Sequence, residues 1–240
     1  MQIVIIGYGK MGKMIQHEAA KLSIPISGII NGYNELVSYK FQNQDIAMEF
    51  TEPASCFKNI QILTSKGVNV VCGTTGWYQD IDLVKNLVSK NNIGFIYASN
   101  FSIGVNIFWQ IIKKASVAID KFDNYDVMGH EIHHRYKKDS PSGTALTTAQ
   151  ILIDNISRKN KVITDKIDRE MQSDEVHFSS SRCGSIVGMH EIIFDSPNDS
   201  IKISHHSKER STYALGAIRC ANWIKGKKGF YSIKSFMDKL

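Results

Sequence analysis

The chain has 240 residues, 42% of them hydrophobic and 22% charged; this is an ordinary globular balance, long enough for one large or two modest domains, and it excludes a disordered chain. The formal charge of +6 and a pI near 9.0 come from scattered cations, not from a basic stripe with interleaved aromatics, so they point to small anions and away from nucleic acid. No apolar run reaches the roughly 18 residues of a membrane span, and Met1 leads into a strand with no cationic and apolar leader, so a cytoplasmic protein with no membrane partner is expected.

Gln2 to Ile6 is a compact β-branched run of the kind a buried parallel strand needs. Gly7-Tyr8-Gly9-Lys10-Met11-Gly12 follows and opens a helical pattern that runs through Leu22. Three glycines at this spacing, between a strand and a helix, fit a dinucleotide-binding turn: one for the tight turn, one to let backbone approach a pyrophosphate, one for close helix–strand packing. Ile24 to Ile30 reads as the second strand. Its end, where a carboxylate usually holds the adenine ribose hydroxyls, carries Asn31, which can bond a hydroxyl but does not separate NADH from NADPH.

A polar segment too short for a full βα unit leads to a strand at Ile46 to Phe50, and Pro53 stands near the start of the next helix. Val68 to Cys72 is a buried strand, in which Cys72 serves as a small hydrophobe. The four cysteines, Cys56, Cys72, Cys183 and Cys220, are far apart in the chain and form no Cys-x-x-Cys pair, consistent with a reduced environment. Gly73-Thr74-Thr75-Gly76 sits at a carboxyl strand end, where an open α/β sheet presents residues to its ligand. A helix from Gln79 to Lys90 and a strand from Ile93 to Ala98 continue the βαβ alternation. Ser99-Asn100-Phe101-Ser102 then opens a largely apolar helix to about Ile119 and the crossing into a second domain.

From Tyr125 the order changes: a strand to Ile132, a basic loop, a helix from Ser142 to about Ser157, then strands near His177, Ile186 to Phe194 and Ile201 to His206. Antiparallel strands with a helix suggest an α+β substrate domain with an open sheet available for oligomer contact. Glu209 to Ile224 has a helical period and is expected to pack back on the first domain. The expected division is residues 1–103 with 208–240 for the dinucleotide and 104–207 for the substrate.

The densest chemistry lies in Glu131-Ile132-His133-His134-Arg135-Tyr136-Lys137-Lys138-Asp139-Ser140-Pro141-Ser142-Gly143-Thr144-Ala145. Ser142 or Thr144 can cap a helix whose open N–H groups, with those of Gly143, would face a carboxylate. Lys137 and Arg135 add positive charge, and an imidazole can exchange a proton near neutral pH. His130-Glu131-Ile132-His133-His134 also matches the His-Glu-x-x-His zinc-protease pattern, but that pattern works only on a helix. In a strand, as Val, Ile and Tyr around Gly129 favour, its two histidines would stand roughly 13 Å apart at about 3.3 Å per residue. No metal is expected.

Taken together, Gly7 to Gly12, Phe50-Thr51-Glu52-Pro53, Gly73 to Gly76, Ala98-Ser99-Asn100-Phe101-Ser102 with Gly104-Val105-Asn106, and above all Glu131 to Ala145 resemble the 4-hydroxy-tetrahydrodipicolinate (dihydrodipicolinate) reductase family of lysine and diaminopimelate synthesis over nearly the whole chain. The resemblance implies a Rossmann-like α/β parallel-sheet domain, an α+β domain for substrate binding and oligomerisation, a homotetramer, and NADH or NADPH reducing a cyclic dicarboxylic imine. His133 matches the family's proton donor and Lys137 its second catalytic donor, while His134, Ser142, Gly143 and Thr144 fall on the substrate-carboxylate contacts. Gly7 to Gly12, Asn31, Phe50, Gly73, Thr74, Thr75, Ala98, Ser99, Asn100 and Phe101 fall on the cofactor side. Asn31 replaces a common acidic residue, and Gly188-Met189-His190 replaces a common Gly-Glu-His. Another NAD(P)-dependent amino- or imino-acid dehydrogenase, or a non-catalytic dinucleotide-binding regulator, would carry the same glycine turn.

Overall fold

Buried β-branched strands alternating with amphipathic helices build the first part of the computed structural model, which describes residues 1–239. In chain order these are β1 (Gln2–Ile6), α1 (Lys10–Lys21), β2 (Ile26–Ile30), α2 (Tyr33–Ser38), β3 (Asp45–Glu49), α3 (Pro53–Ser65), β4 (Asn69–Cys72), α4 (Ile81–Lys90) and β5 (Gly94–Tyr97). The chain then enters α5 (Ile103–Ile119), β6 (Asp126–His133), α6 (Gly143–Asn155), β7 (Lys161–Ile163), β8 (Glu175–Arg182), β9 (Gly188–Asp195) and β10 (Ser200–Ser207). It ends in α7 (Ser211–Ile224), β11 (Gly229–Ser232) and α8 (Ile233–Met237). The chain divides into two units, Met1–Ile103 with Ser211–Leu240, and Gly104–Arg210.

The first unit is a parallel six-stranded sheet in the order β11-β5-β4-β3-β1-β2. Both faces are covered, which is why β1 and the centre of β3, Ile46-Ala47-Met48, are apolar runs rather than alternating. Ile3, Ile5, Met48 and Val71 pack on one side with Ile15 and Ala19 of α1 and with Ala214, Ala217 and Ala221 of α7. Val4, Ile6, Ala47 and Val70 pack on the other with Ile60 and Leu63 of α3 and Val84 and Val88 of α4. Small residues let α7 come close: a Cβ on Gly216 would lie 1.8 Å from the Phe101 carbonyl oxygen.

The short segment after Asn31, which has no strong pattern, forms α2 and buries Leu36 against the second of these layers. β11 and α8 were not visible as patterns either; β11 is a four-residue strand recruited by pairing with β5.

The second unit is a five-stranded sheet in the order β10-β9-β6-β8-β7. It is mixed, not antiparallel as the sequence suggested. β10 and β9 run antiparallel up to β6, whereas β6, β8 and β7 run parallel. A parallel pair needs a crossover, and the basic loop with α6 provides it between β6 and β8. Phe108 and Ile112 of α5, Ala149 and Leu152 of α6, and Phe178, Ile192 and Phe194 of the sheet form the core. No helix among the described residues is long and apolar enough to cross a membrane.

Candidate active site

In the first unit, the carboxyl ends of adjacent strands bring the glycine turn, Phe50 and the Gly73 turn together. Gly7 has φ +91°, and a Cβ there would lie 2.5 Å from the Phe50 carbonyl oxygen; side chains rarely tolerate that backbone. A Cβ on Gly12 would meet the Gly7 carbonyl oxygen at 2.2 Å, whereas one on Gly9 would meet no described atom within 4 Å. The three glycines thus divide into a turn, an open approach and a close packing contact. α1 starts at Gly9 with no side-chain cap among the described residues and no acidic residue in its first turn. Uncapped N–H groups at the positive end of a helix dipole suit a pyrophosphate.

Beside this turn lies a cavity of about 800 Å³ lined by Gly7, Gly9, Asn31, Tyr33, Phe50, Thr51, Lys58 and Asn59. Asn31 closes its edge by tying two elements: its Oδ1 accepts from the Tyr8 backbone N–H at 2.8 Å, and its own N–H donates to the Glu35 carboxylate at 2.9 Å. Thr74 Oγ1 accepts from the Thr51 N–H at 2.8 Å. A Cβ on Gly73 would lie 2.0 Å from the Phe50 ring, which stands 5.9 Å from that of Phe101. Ala98 is buried at the end of β5, its N–H on the Cys72 carbonyl, and the Asn100 side chain accepts from the Ser102 N–H at 2.8 Å. Lys10, Thr75 and Ser99 are exposed, while the Met11 side chain turns into the core.

In the second unit, β6 alternates, so Glu131 and His133 share its buried face and His130 lies on the other. His130 Nδ1 is spent on Ser179 Oγ at 2.7 Å. The zinc-protease arrangement of His130 and His134 is therefore not formed, because it would need a helix where the chain has a strand.

Glu131 is fully buried. Its Oε1 accepts from the Ser142 N–H and from Ser180 Oγ, both at 2.9 Å, with Arg182 Nη1 at 3.7 Å. Its Oε2 accepts from Ser142 Oγ and faces His190 Nε2 at 3.3 Å and His133 Nδ1 at 3.4 Å. Burial alone would raise the pKa of this carboxyl, but the hydrogen bonds from His190, Ser142 and Ser180 prevail and hold it at about 2. His133 is pushed down to about 4, by burial first and then by His190, Lys137 and Arg182 against the pull of Glu131.

Ser142 caps α6, accepting from the Ala145 N–H at 3.1 Å. A Cβ on Gly143 would meet no described atom within 4 Å, so the helix start is open on that side. Lys137 Nζ bridges both oxygens of Asp139 at 2.7 and 2.8 Å, which lowers the Asp139 pKa. Arg182 straps the loop, donating to the carbonyls of Asp139 at 2.6 Å and Lys137 at 3.4 Å. His134 Nε2 meets Arg210 Nη2 at 2.7 Å.

Glu131 thus joins His133 to the Ser142–Gly143 helix start, while Lys137, paired with Asp139, acts on His133 through its charge. Sequence reasoning passed over Ser180, Arg182 and Arg210, noted His190 only as part of Gly188-Met189-His190, and gave Glu131 no role of its own. The available signal was the period-two register, which puts Glu131 beside His133 on an inward face.

Two triads bring three potential metal-ligating atoms within 4.8 Å: Glu131, His133 and His190, and Glu49, Cys56 and Cys72. In the second, Cys56 and Cys72, far apart in the chain, come together because α3 packs on β4 and leaves their sulfurs 3.7 Å apart. Asn59, Thr51 and Cys56 already donate to Glu49.

Comparison with known proteins agrees with this anatomy. Residues 29–101 match the family model for the dihydrodipicolinate reductase N-terminus and residues 104–237 the model for its C-terminus. The 4-hydroxy-tetrahydrodipicolinate reductase of Christiangramia forsetii is 34% identical over 240 residues, covering 100% of this chain and 99% of that protein. That of Archaeoglobus fulgidus is 33% identical over 240 residues, covering 98% of this chain and 84% of that protein. The fold is shared with a dipicolinate-bound dihydrodipicolinate reductase from Paenisporosarcina sp. TG-14, at a TM-score of 0.72 and 22% identity over 98% of this chain and 99% of that one. On these matches, spanning both units, the chain belongs to the dihydrodipicolinate reductase family of NAD(P)H-dependent oxidoreductases.

Proposed function

We propose that this chain reduces a cyclic dicarboxylic imine to tetrahydrodipicolinate in lysine and diaminopimelate synthesis, binding NADH or NADPH on the first unit and the dicarboxylate on the second. One observation carries the reading: a buried imidazole, a lysine and an open, capped helix start are held together by one loop and one strand. The bound dinucleotide supplies a hydride. Adding it to a conjugated imine drives an electron pair onto the substrate, and that pair must take a proton. His133 and Lys137 are the donors placed for this, and the start of α6 with Gly143 and Thr144, helped by His134, holds a carboxylate. The dipicolinate in the solved Paenisporosarcina relative supports a planar dicarboxylate as the ligand class.

In the first unit, Gly9 leaves the room a pyrophosphate needs and Asn31 and Phe50 bound the adenosine side. Among the other predicted cofactor residues, Thr74 orders the loop and Ala98 to Phe101 lie at the next strand end. We assign the enzyme to the cytoplasm and to a homotetramer; the outer edge of β10, with Ile201 exposed, supports assembly through the second sheet. Sedimentation of the purified protein tests the tetramer.

Absorbance loss of NADH and of NADPH, followed with enzymatically generated substrate, tests the activity: turnover with either supports it. Dinucleotide binding with no oxidation would favour a regulator on the same fold. Dipicolinate should compete with substrate, and no inhibition at millimolar levels would remove the dicarboxylate pocket.

A further inference from the structure

Glu131 joins the two halves of the proposed chemistry. One of its oxygens holds the backbone and the other the hydroxyl of Ser142, the residue that starts α6. The second oxygen also faces His133 Nδ1 at 3.4 Å and His190 Nε2 at 3.3 Å. An ionised carboxylate only accepts hydrogen bonds, so each ring nitrogen turned toward it is the one that carries hydrogen. His133 Nδ1 is buried and makes no hydrogen bond among the described residues, with the Glu131 carboxylate 3.4 Å away; hydrogen on Nδ1 of the neutral ring faces that carboxylate and leaves the Nε2 lone pair pointing away from it. It points past Gly188, where a Cβ would lie 3.0 Å from Nε2; the missing side chain keeps this nitrogen reachable. His190 stands edge-on to His133 with ring centroids 5.2 Å apart and limits its rotation.

Resting on the assignment of His133 as proton donor, we infer that Glu131 is a positioning residue. It fixes the His133 tautomer so that Nε2 is the nitrogen that takes up a proton from solvent. The imidazolium so formed, its Nδ1–H toward the Glu131 carboxylate, gives the Nε2 proton to the substrate and returns to the neutral ring, while through Ser142 the same carboxylate locks the helix start, with His190 as the brace. A carboxylate kept only to hold the fold would fix the helix start just as well and leave the titration of His133 without effect on turnover.

Glu131→Gln keeps the shape and removes the charge. The expected result is a kcat lowered roughly 10- to 100-fold, as for other partners that orient a working imidazole, with KM changed less than about threefold. The His133 limb of the kcat/KM profile should move to lower pH, because the carboxylate is what favours the charged ring. Glu131→Asp should restore the limb in part. A folded Glu131→Gln protein with unchanged kcat and an unmoved limb overturns the inference.

Nitrogen-15 NMR of histidine-labelled wild-type protein decides the matter even where the variant fails to fold: neutral His133 with hydrogen on Nδ1 supports it, and hydrogen on Nε2 overturns it. His133→Ala separates the two levels. If that variant turns over normally, the proton-donor reading itself falls; if it is inactive while Glu131→Gln is normal, only the positioning role falls.

Discussion

On the proposed function, the two units bind an anion by opposite means. In the first, the site is made of backbone: glycines, uncapped N–H groups and the absence of side chains, with no buried ion pair at the turn. In the second, side chains gather around a fully buried carboxylate that Ser142 and Ser180 hydrogen-bond, while Nδ1 of His133 and of His190 is buried without a hydrogen bond among the described residues, and small shifts of charge matter. Backbone sites fail when volume is added, because a Cβ has nowhere to go. Side-chain sites fail when charge is removed, because a buried group is left unpaired.

Removing charge should have the largest effect. His133→Ala with Lys137→Ala is expected to lower kcat by about 10³-fold or more, each donor being worth roughly 10²- to 10⁴-fold and the pair less than additive. NADH affinity, measured by titration calorimetry, should stay within about twofold. A loss of NADH binding in the double variant would break the contrast between the units.

Adding volume comes next. Gly7→Ala meets both a left-handed backbone and the Phe50 carbonyl, and should cost about 3 kcal/mol in a denaturant melt. Gly9→Ala has room and an ordinary φ of −79°, so its melt should be unchanged while dinucleotide affinity falls roughly 10-fold, about 1.4 kcal/mol, from lost backbone approach.

A pH series sharpens the comparison further. His133 is buried neutral, with its pKa at about 4 in the folded chain against about 6.5 when unfolded. The unfolded chain therefore takes the proton first, so this contribution to stability is complete above about pH 6.5 and is lost as the pH falls toward 4. The urea midpoint of the wild type should drop through that window more steeply than that of His133→Gln; parallel curves would show that His133 does not carry the effect. The smallest effect belongs to the exposed Lys85–Asp82 pair: Lys85→Ala should move the melt by less than about 0.5 kcal/mol.

How much could be read from sequence follows from the same distinction. The glycine turn is local, with Gly7, Gly9 and Gly12 in one short stretch after an apolar strand, so spacing alone revealed it. The Ser142 cap of α6 was legible for the same reason. Glu131 was seen and the zinc pattern around it rejected on strand geometry, but its role at the start of α6 depends on tertiary packing that the pattern does not carry. His190 and Arg182 come from β9 and β8, and which residue of one strand faces which of another is set by pairing that a single sequence does not state. The Asn31 side chain also accepts from the Tyr8 N–H, a tertiary bond with no local signal in the sequence. The parallel pairing of β6 with β8 was missed because strand patterns look alike in either direction.

The return of the chain to the first unit has a consequence for how the protein is made. Asn69 donates to the Ile224 carbonyl across 155 residues of sequence, and β11 pairs with β5 only after the entire second unit has been traversed. A ribosome that has released residues 1–103 has not yet supplied α7, so the apolar layer of Ile3, Ile5 and Val71 has α1 but lacks the rest of its cover at that moment. Loop closure over so long a span grows costly only slowly with length, but folding from distant contacts is slow. The inserted unit therefore acts as a timer on the completion of the first sheet, and its substitutions can lower the yield of intact enzyme without touching any ligand.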